Sequence, residues 1–209
     1  MKIITVTNFK GGVGKTFLSV VLAELFMAEG KRAVVIDLDR QFCAVEYLRR
    51  PDGGPEFKNI DVVPSAGRAP DFATLSGYDV AIVDTPPAAF GDPIVQSMIK
   101  QSNLVIVPFM LYRHALIGFQ DMIAVLPESV RILPVVSVES GLSKAKSDLL
   151  GSVRTALKGD GSAAPVVELP MYDRIDTNLG KKRVFWYGLR EREFAPFEAL
   201  YNTVSRLLS

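Results

Sequence analysis

Residues 10–16 read Lys-Gly-Gly-Val-Gly-Lys-Thr, directly after an apolar run containing Ile3, Ile4 and Val6 and just before a helical pattern that begins near Phe17. A glycine-rich turn between a strand and a helix lets backbone N–H groups converge on phosphate oxygens, and the positive end of the helix dipole adds to the attraction. Gly11, Gly12 and Gly14 supply backbone angles that a side chain would oppose, and they permit close approach. Lys15 is then placed to reach β- and γ-phosphates, and the Thr16 hydroxyl to ligate Mg²⁺. The loop, with Val13 inside it and Phe17 at its exit, predicts a nucleoside triphosphatase.

Outward from this loop, continuous apolar runs of a few residues alternate with longer helical patterns, as expected of a parallel sheet covered on both faces. Strands are expected at 2–7, 33–37, 60–64, 80–84, 104–108, 132–138 and 166–169, and helices at 17–28, 43–49, 92–101, 116–126, 143–157 and 191–208. In the first helix Leu18, Val21, Leu22, Leu25 and Phe26 share one face, and Gly30 is expected to close it. Segments 51–57 and 158–164, rich in Gly, Pro and Asp, read as exposed connections. The expected fold is α/β, a mostly parallel central sheet with helices on both faces, built by residues 1–209 as one P-loop NTPase domain.

The 209 residues are 48% hydrophobic and 22% charged, which suits a globular domain, and no stretch reads as an interdomain linker. Net charge is +1, so any nucleic-acid contact must come from a local basic patch. The first strand begins near residue 2, without the pattern of a secretory signal and without room for a preceding helix-turn-helix. No run approaches the roughly 18 apolar residues of a membrane span. The lone Cys43 excludes an intramolecular disulfide, fits a reducing cytoplasm and is expected to be a packed thiol.

Two further strand ends carry acids. Asp37 and Asp39 close the second expected strand, where ligands bind in open α/β sheets, and a bound Mg²⁺ with an attacking water would offset their repulsion. The run Tyr-Asp-Val-Ala-Ile-Val-Asp-Thr-Pro-Pro at 78–87 ends a strand on Asp84, a Walker B arrangement that would support Mg²⁺ through its water shell, with Thr85 to Pro87 as a switch loop.

The loop departs from the usual P-loop pattern, which asks for Gly where Phe9 stands, and it opens with a second lysine, Lys10. Lys-Gly-Gly-x-Gly-Lys-Thr resembles the deviant Walker A motif of the ParA/MinD family of ATPases, strongly from Met1 to about Pro108 and loosely beyond. Residues 37–41 are similar to that family's Asp-x-Asp-Pro-Gln, with Arg40 replacing the Pro, and Asn103 stands where an Asp is common.

The resemblance implies a slow, partner-stimulated ATPase with ATP and Mg²⁺ as ligands, in which Asp39 orients or activates the hydrolytic water and Thr16, Asp39 and Asp84 serve the metal. Lys10, Gly11, Gly12, Val13, Gly14, Lys15, Thr16 and Phe17 would bind the nucleotide; Pro170 and Met171, after the last strand, are placed to border the base. In the family the signature lysine crosses a dimer interface to the partner's nucleotide, so Lys10 implies a homodimer enclosing two ATP molecules. The family's ATP dimer binds nonspecific DNA through late basic residues, for which Lys181, Lys182, Arg183, Arg190 and Arg192 are the candidates; Phe185, Trp186 and Tyr187 among them are expected to be packed. A ParB-like adaptor and a cytoplasmic, nucleoid-associated location follow from the same resemblance, with a plasmid, chromosome origin or protein assembly as cargo.

Two alternatives remain. A MinD-like protein would bind membrane through a C-terminal amphipathic helix, but Phe194, Phe197, Leu200, Tyr201, Val204, Leu207 and Leu208 suit docking on the core. A P-loop ligase related to dethiobiotin synthetase or the cobyrinate-amidating enzymes would need an acceptor pocket. No paired nucleophile and base argues for one, and His114 reads as a helix-start or surface residue.

Overall fold

In a computed structural model of the chain, residues 1–48, 59–87, 91–138, 143–157, 165–170 and 184–209 are described. The expected connections at 51–57 and 158–164, and the candidates Met171, Lys181, Lys182 and Arg183, lie outside them.

Seven strands form one sheet: β1 (Lys2–Val6), β2 (Ala33–Asp37), β3 (Ile60–Pro64), β4 (Val80–Asp84), β5 (Leu104–Met110), β6 (Ile132–Val138) and β7 (Val167–Pro170). Their order is β3-β2-β4-β1-β5-β6-β7, and every pairing is parallel. Chain order reverses direction at β1, and ligands bind such sheets in the crevice beyond the strand ends at that point. Every residue of β2 and β4 is buried, which is why these strands read as unbroken apolar runs.

Six helices flank the sheet among the described residues: α1 (Lys15–Ala28), α2 (Cys43–Leu48), α3 (Pro93–Gln101), α4 (Arg113–Val125), α5 (Lys144–Leu157) and α6 (Glu191–Leu208). Successive strand residues feed opposite cores, as a two-residue period requires. Ile4, Val35, Ile82 and Ile106 meet α1, α2 and α6 on one face. Val34, Val83, Val105 and Phe109 meet α3, α4 and α5 on the other. Each such side chain taken wholly out of water contributes about 1.5–3 kcal/mol.

Local chemistry sets several element ends. Asp92 caps α3 by accepting from the Ile94 N–H at 2.8 Å, with Pro93 in the first turn, where its missing N–H is harmless. Gly30, at φ 71°, closes α1 while the Lys31 N–H donates to Phe26 O.

The structure corrects several expectations. Helix α1 begins at Lys15, not Phe17, because Gly14 alone occupies the left-handed conformation at its cap, φ 90°. It is buried nearly all round, not along one stripe: Ser19, Val20, Ala23 and Glu24 are as inaccessible as Leu22, because α6 and α2 pack on the side away from the sheet. Helix α4 begins at Arg113, three residues before the expected start, since its first turn is polar and adds nothing to the apolar period. A short 3-10 turn, Phe72–Leu75, was not expected at all.

Candidate nucleotide site

The site lies where β1, β4 and β2 end side by side, with Val6 paired to Asp84 and Asp84 to Asp37. The chain leaves β1 through Asn8, which is 2% exposed. Its Nδ2 donates to Pro108 O on β5 at 2.8 Å, and its Oδ1 accepts from the Lys10 N–H at 3.0 Å. The loop is thus anchored to the neighbouring strand before it turns. Gly12 and Gly14 both have positive φ, 73° and 90°, the conformation that lets backbone amides point inward.

Lys15, the first residue of α1, is buried, and its Nζ donates to Lys10 O at 2.9 Å, folding the side chain back over the loop. Burial lowers its pKa, against the pull of the Asp84 and Asp39 carboxylates, so both acids stand within electrostatic reach of the ammonium.

Asp84 is fully buried. Ser19 Oγ lies 3.1 Å from its Oδ1 and 3.0 Å from Lys15 O, and the Thr16 hydroxyl also bonds the carboxylate. Its Oδ2 has no well-aligned hydrogen bond among the described residues. Burial pushes the Asp84 pKa up to about 7; Asp37 adds to the rise, while Thr16, Ser19 and Lys15 oppose it.

Asp37 is equally buried but differently engaged. Its Oδ1 accepts from the Asp39 N–H at 3.0 Å and its Oδ2 from the Val45 N–H at 3.1 Å, so it pins the 38–45 turn to the sheet. Burial raises its pKa, and these amide bonds resist that. Asp39 is half-buried; its Oδ1 accepts from the Gln41 N–H at 2.9 Å. The turn continues through exposed Arg40 to Phe42, whose φ of 51° is unusual for a residue with a side chain. Cys43 follows, half-buried, its thiol pushed up first by burial and then by Asp39 and Asp37. Across the site, Thr85 Oγ1 donates to Val6 O at 2.9 Å, and Pro87 stands over Gly11.

Lys15, Thr16, Asp39 and Asp84 therefore lie together at one end of the sheet. No cluster of three His, Cys, Asp or Glu groups able to hold a metal occurs among the described residues. Instead the donors are a hydroxyl, a buried carboxylate with an unused oxygen and a half-buried carboxylate, a set suited to a cation that keeps several waters.

Pro170 ends β7 at the sheet edge, three strands from β1, roughly 14 Å at usual strand spacing. Arg190 precedes α6 and pairs with Glu193, Nη2 to Oε1 at 2.9 Å; Arg192 is exposed. Phe185 is fully buried and Trp186 half-buried, whereas Tyr187 is 57% exposed, against the expectation that it is packed. His114 is the exposed second residue of α4. Asn8, Ser19 and Asp37's hold on the turn escaped the sequence. Spacing signalled only Ser19, which lies one helical turn after Lys15 on the same face.

A family model described as an AAA domain matches residues 1–50. The chain is 28% identical over 214 residues to the chromosome-partitioning ATPase Soj of Thermus thermophilus, covering 88% of this chain and 78% of the relative. It is similar to the solved ATP complex of a Cyanothece McdA variant, with TM-score 0.75 and 15% identity over 98% of this chain and 96% of that one. It is also similar to pNOB8 ParA bound to nonspecific DNA, with TM-score 0.70 and 17% identity over 99% and 98%. Sheet order and loop define the class, a parallel α/β P-loop domain whose loop carries the deviant second lysine. Within that class the chain is similar to ATPases of the ParA/MinD type.

Proposed function

We propose that this protein is an ATPase that dimerises on binding ATP and, in that state, holds DNA without regard to sequence in order to segregate or position a cargo. The observation that carries the reading is the buried Asp84 carboxylate, its Oδ2 unused, beside the Thr16 hydroxyl and the Lys15 ammonium at the mouth of a glycine loop. That set fits Mg²⁺ bound with a nucleoside triphosphate. The names of Soj as a chromosome-partitioning ATPase and of the McdA and ParA complexes with ATP and nonspecific DNA support it.

In this mechanism the amides of residues 11–16 and Lys15 bind the phosphates, displacing Lys15 from its contact with Lys10 O. Mg²⁺, when bound, neutralises charge on the β- and γ-phosphate oxygens. Thr16, Asp84 and Asp39 would hold it, and Asp39, on the turn secured by Asp37, would also orient the water. Lys10 reaches the nucleotide of a second subunit, so that loss of the γ-phosphate loosens the dimer. Lys181, Lys182, Arg183, Arg190 and Arg192 supply weak phosphate contacts that dimerisation doubles, and a ParB-like adaptor stimulates turnover. The apolar face of α6, with Phe197, Leu200, Val204 and Leu208 buried in the core, is already occupied, which favours DNA over a lipid surface.

The test is binding to nonspecific duplex DNA at fixed low salt with ATP, ADP or no nucleotide, with Lys10→Ala as control. Binding with ATP alone, lost in the variant, is expected. Equal binding in all three states, or a variant that dimerises and binds like the parent, would sink the proposal.

A further inference from the structure

The signature lysine does not stand clear of its own subunit. Lys10 is exposed overall, yet its N–H is tied through Asn8 to Pro108 on β5, and its stem runs over the helix that follows that strand. A methyl group at Gly118 of α4 would stand 2.5 Å from Lys10 Cγ, 3.2 Å from Cε and 3.4 Å from Cδ, and these are its three nearest atoms. A contact at 2.5 Å is a collision. The glycine is therefore filled from outside by the lysine stem and by nothing closer.

Its backbone does not ask for glycine. Gly118 is the sixth residue of the thirteen in α4, is buried, and is not among the glycines with positive φ. A mid-helix glycine in ordinary helical conformation destabilises the helix relative to alanine. The property it provides is absence of a side chain, and the space this leaves is occupied by Lys10.

We propose that Gly118 is a positioning residue, a berth that lays the Lys10 stem along its own subunit and holds the ammonium back from a second copy. This rests on the reading of Lys10 as the residue that crosses between subunits. A stem in contact with α4 from Cγ to Cε is directed along its own chain, and reaching a partner requires it to lift away. The berth therefore sets the fraction of subunits ready to pair, and lowers apparent dimer affinity by that fraction.

The test uses the full chain with Gly118→Ala, Lys10→Ala and the double variant. Sedimentation across an ATP series should show Gly118→Ala dimerising at about fivefold lower ATP than wild type, because the berth no longer competes. An unchanged or higher ATP requirement would overturn the berth. Thermal melting without nucleotide judges the contact separately. In the Lys10→Ala background, alanine at 118 should raise Tm by about 2 °C, the usual helix gain, and by less where Lys10 is present. Equal Tm shifts in both backgrounds would mean that Lys10 and Gly118 do not touch, and would defeat the inference. Failure of wild type to dimerise with ATP would instead remove the crossing role of Lys10, and the melting cycle would still decide whether the berth exists.

Discussion

Replacing Asp84 by Asn should flatten the pH dependence of folding stability in the nucleotide-free protein. The carboxyl is fully buried beside Asp37, and its pKa rises from 3.8 to about 7, chiefly through burial. An acid with a raised native pKa keeps a proton that the unfolded chain releases. Its stabilising contribution is therefore complete below the unfolded value and is lost as pH climbs through the native one. A rise of about three units corresponds to on the order of 4 kcal/mol across that window, a slope near 1.4 kcal/mol per pH unit. Asparagine has the same shape, can still meet the Ser19 and Thr16 hydroxyls, and does not ionise. Urea unfolding of both proteins at pH 5, 6, 7 and 8, without Mg²⁺ or nucleotide, reads the difference directly, since groups unaffected by the substitution cancel. Wild-type stability minus variant stability should fall steeply between pH 5 and 7 and level off by pH 8. Parallel profiles would show that Asp84 is ionised throughout, and the account of the site as a strained, cation-seeking carboxylate would fail.

Two other substitutions probe the frame and the chemistry. Glu24, fully buried in α1, accepts from the Phe185 N–H at 2.6 Å across 161 positions of sequence, so Glu24→Leu removes that buried hydrogen bond and should cost about 1–3 kcal/mol. Urea titration checks this, and an unchanged midpoint would mean that the contact does not hold the 184–189 segment. Asp39→Ala should keep ATP-dependent dimerisation while lowering phosphate release by about a hundredfold or more, in line with loss of a water-orienting group. Turnover near the wild-type rate would assign that task elsewhere.

Legibility in the sequence followed the range of the interactions. Strands β2, β4 and β6 run as expected because a parallel strand buried on both faces is a short apolar run, and edge strand β3, only Ile60 of which is buried, was marked by its Asn59 and Pro64 bounds. Strand β5 continues two residues past its expected end because Phe109 is fully buried against Phe119, their rings 4.2 Å apart, and that partner arrives only after the chain has turned back through α4. The glycine loop was legible because backbone and near neighbours do its work. Ser19 and Glu24 would read as the polar side of a stripe, yet their partners Asp84 and Phe185 lie 65 and 161 residues away. The Gly118 berth was hidden for the same reason.

The acids at the strand ends show why spacing alone could not rank the site residues. Asp37 and Asp39 differ by two positions, and a period of two would give them the same direction had the strand continued. β2 ends at Asp37, however, and the turn that follows separates them. Asp37 has both oxygens on backbone N–H groups, which makes it a fastening for the 38–45 turn rather than a ligand. Asp39 is half-buried on that turn and Asp84 keeps a free oxygen under full burial. A carboxylate takes part in chemistry only with the lone pairs that structure leaves unused, and by that measure Asp84 and Asp39 have oxygens to offer a ligand while Asp37 is engaged in holding the turn.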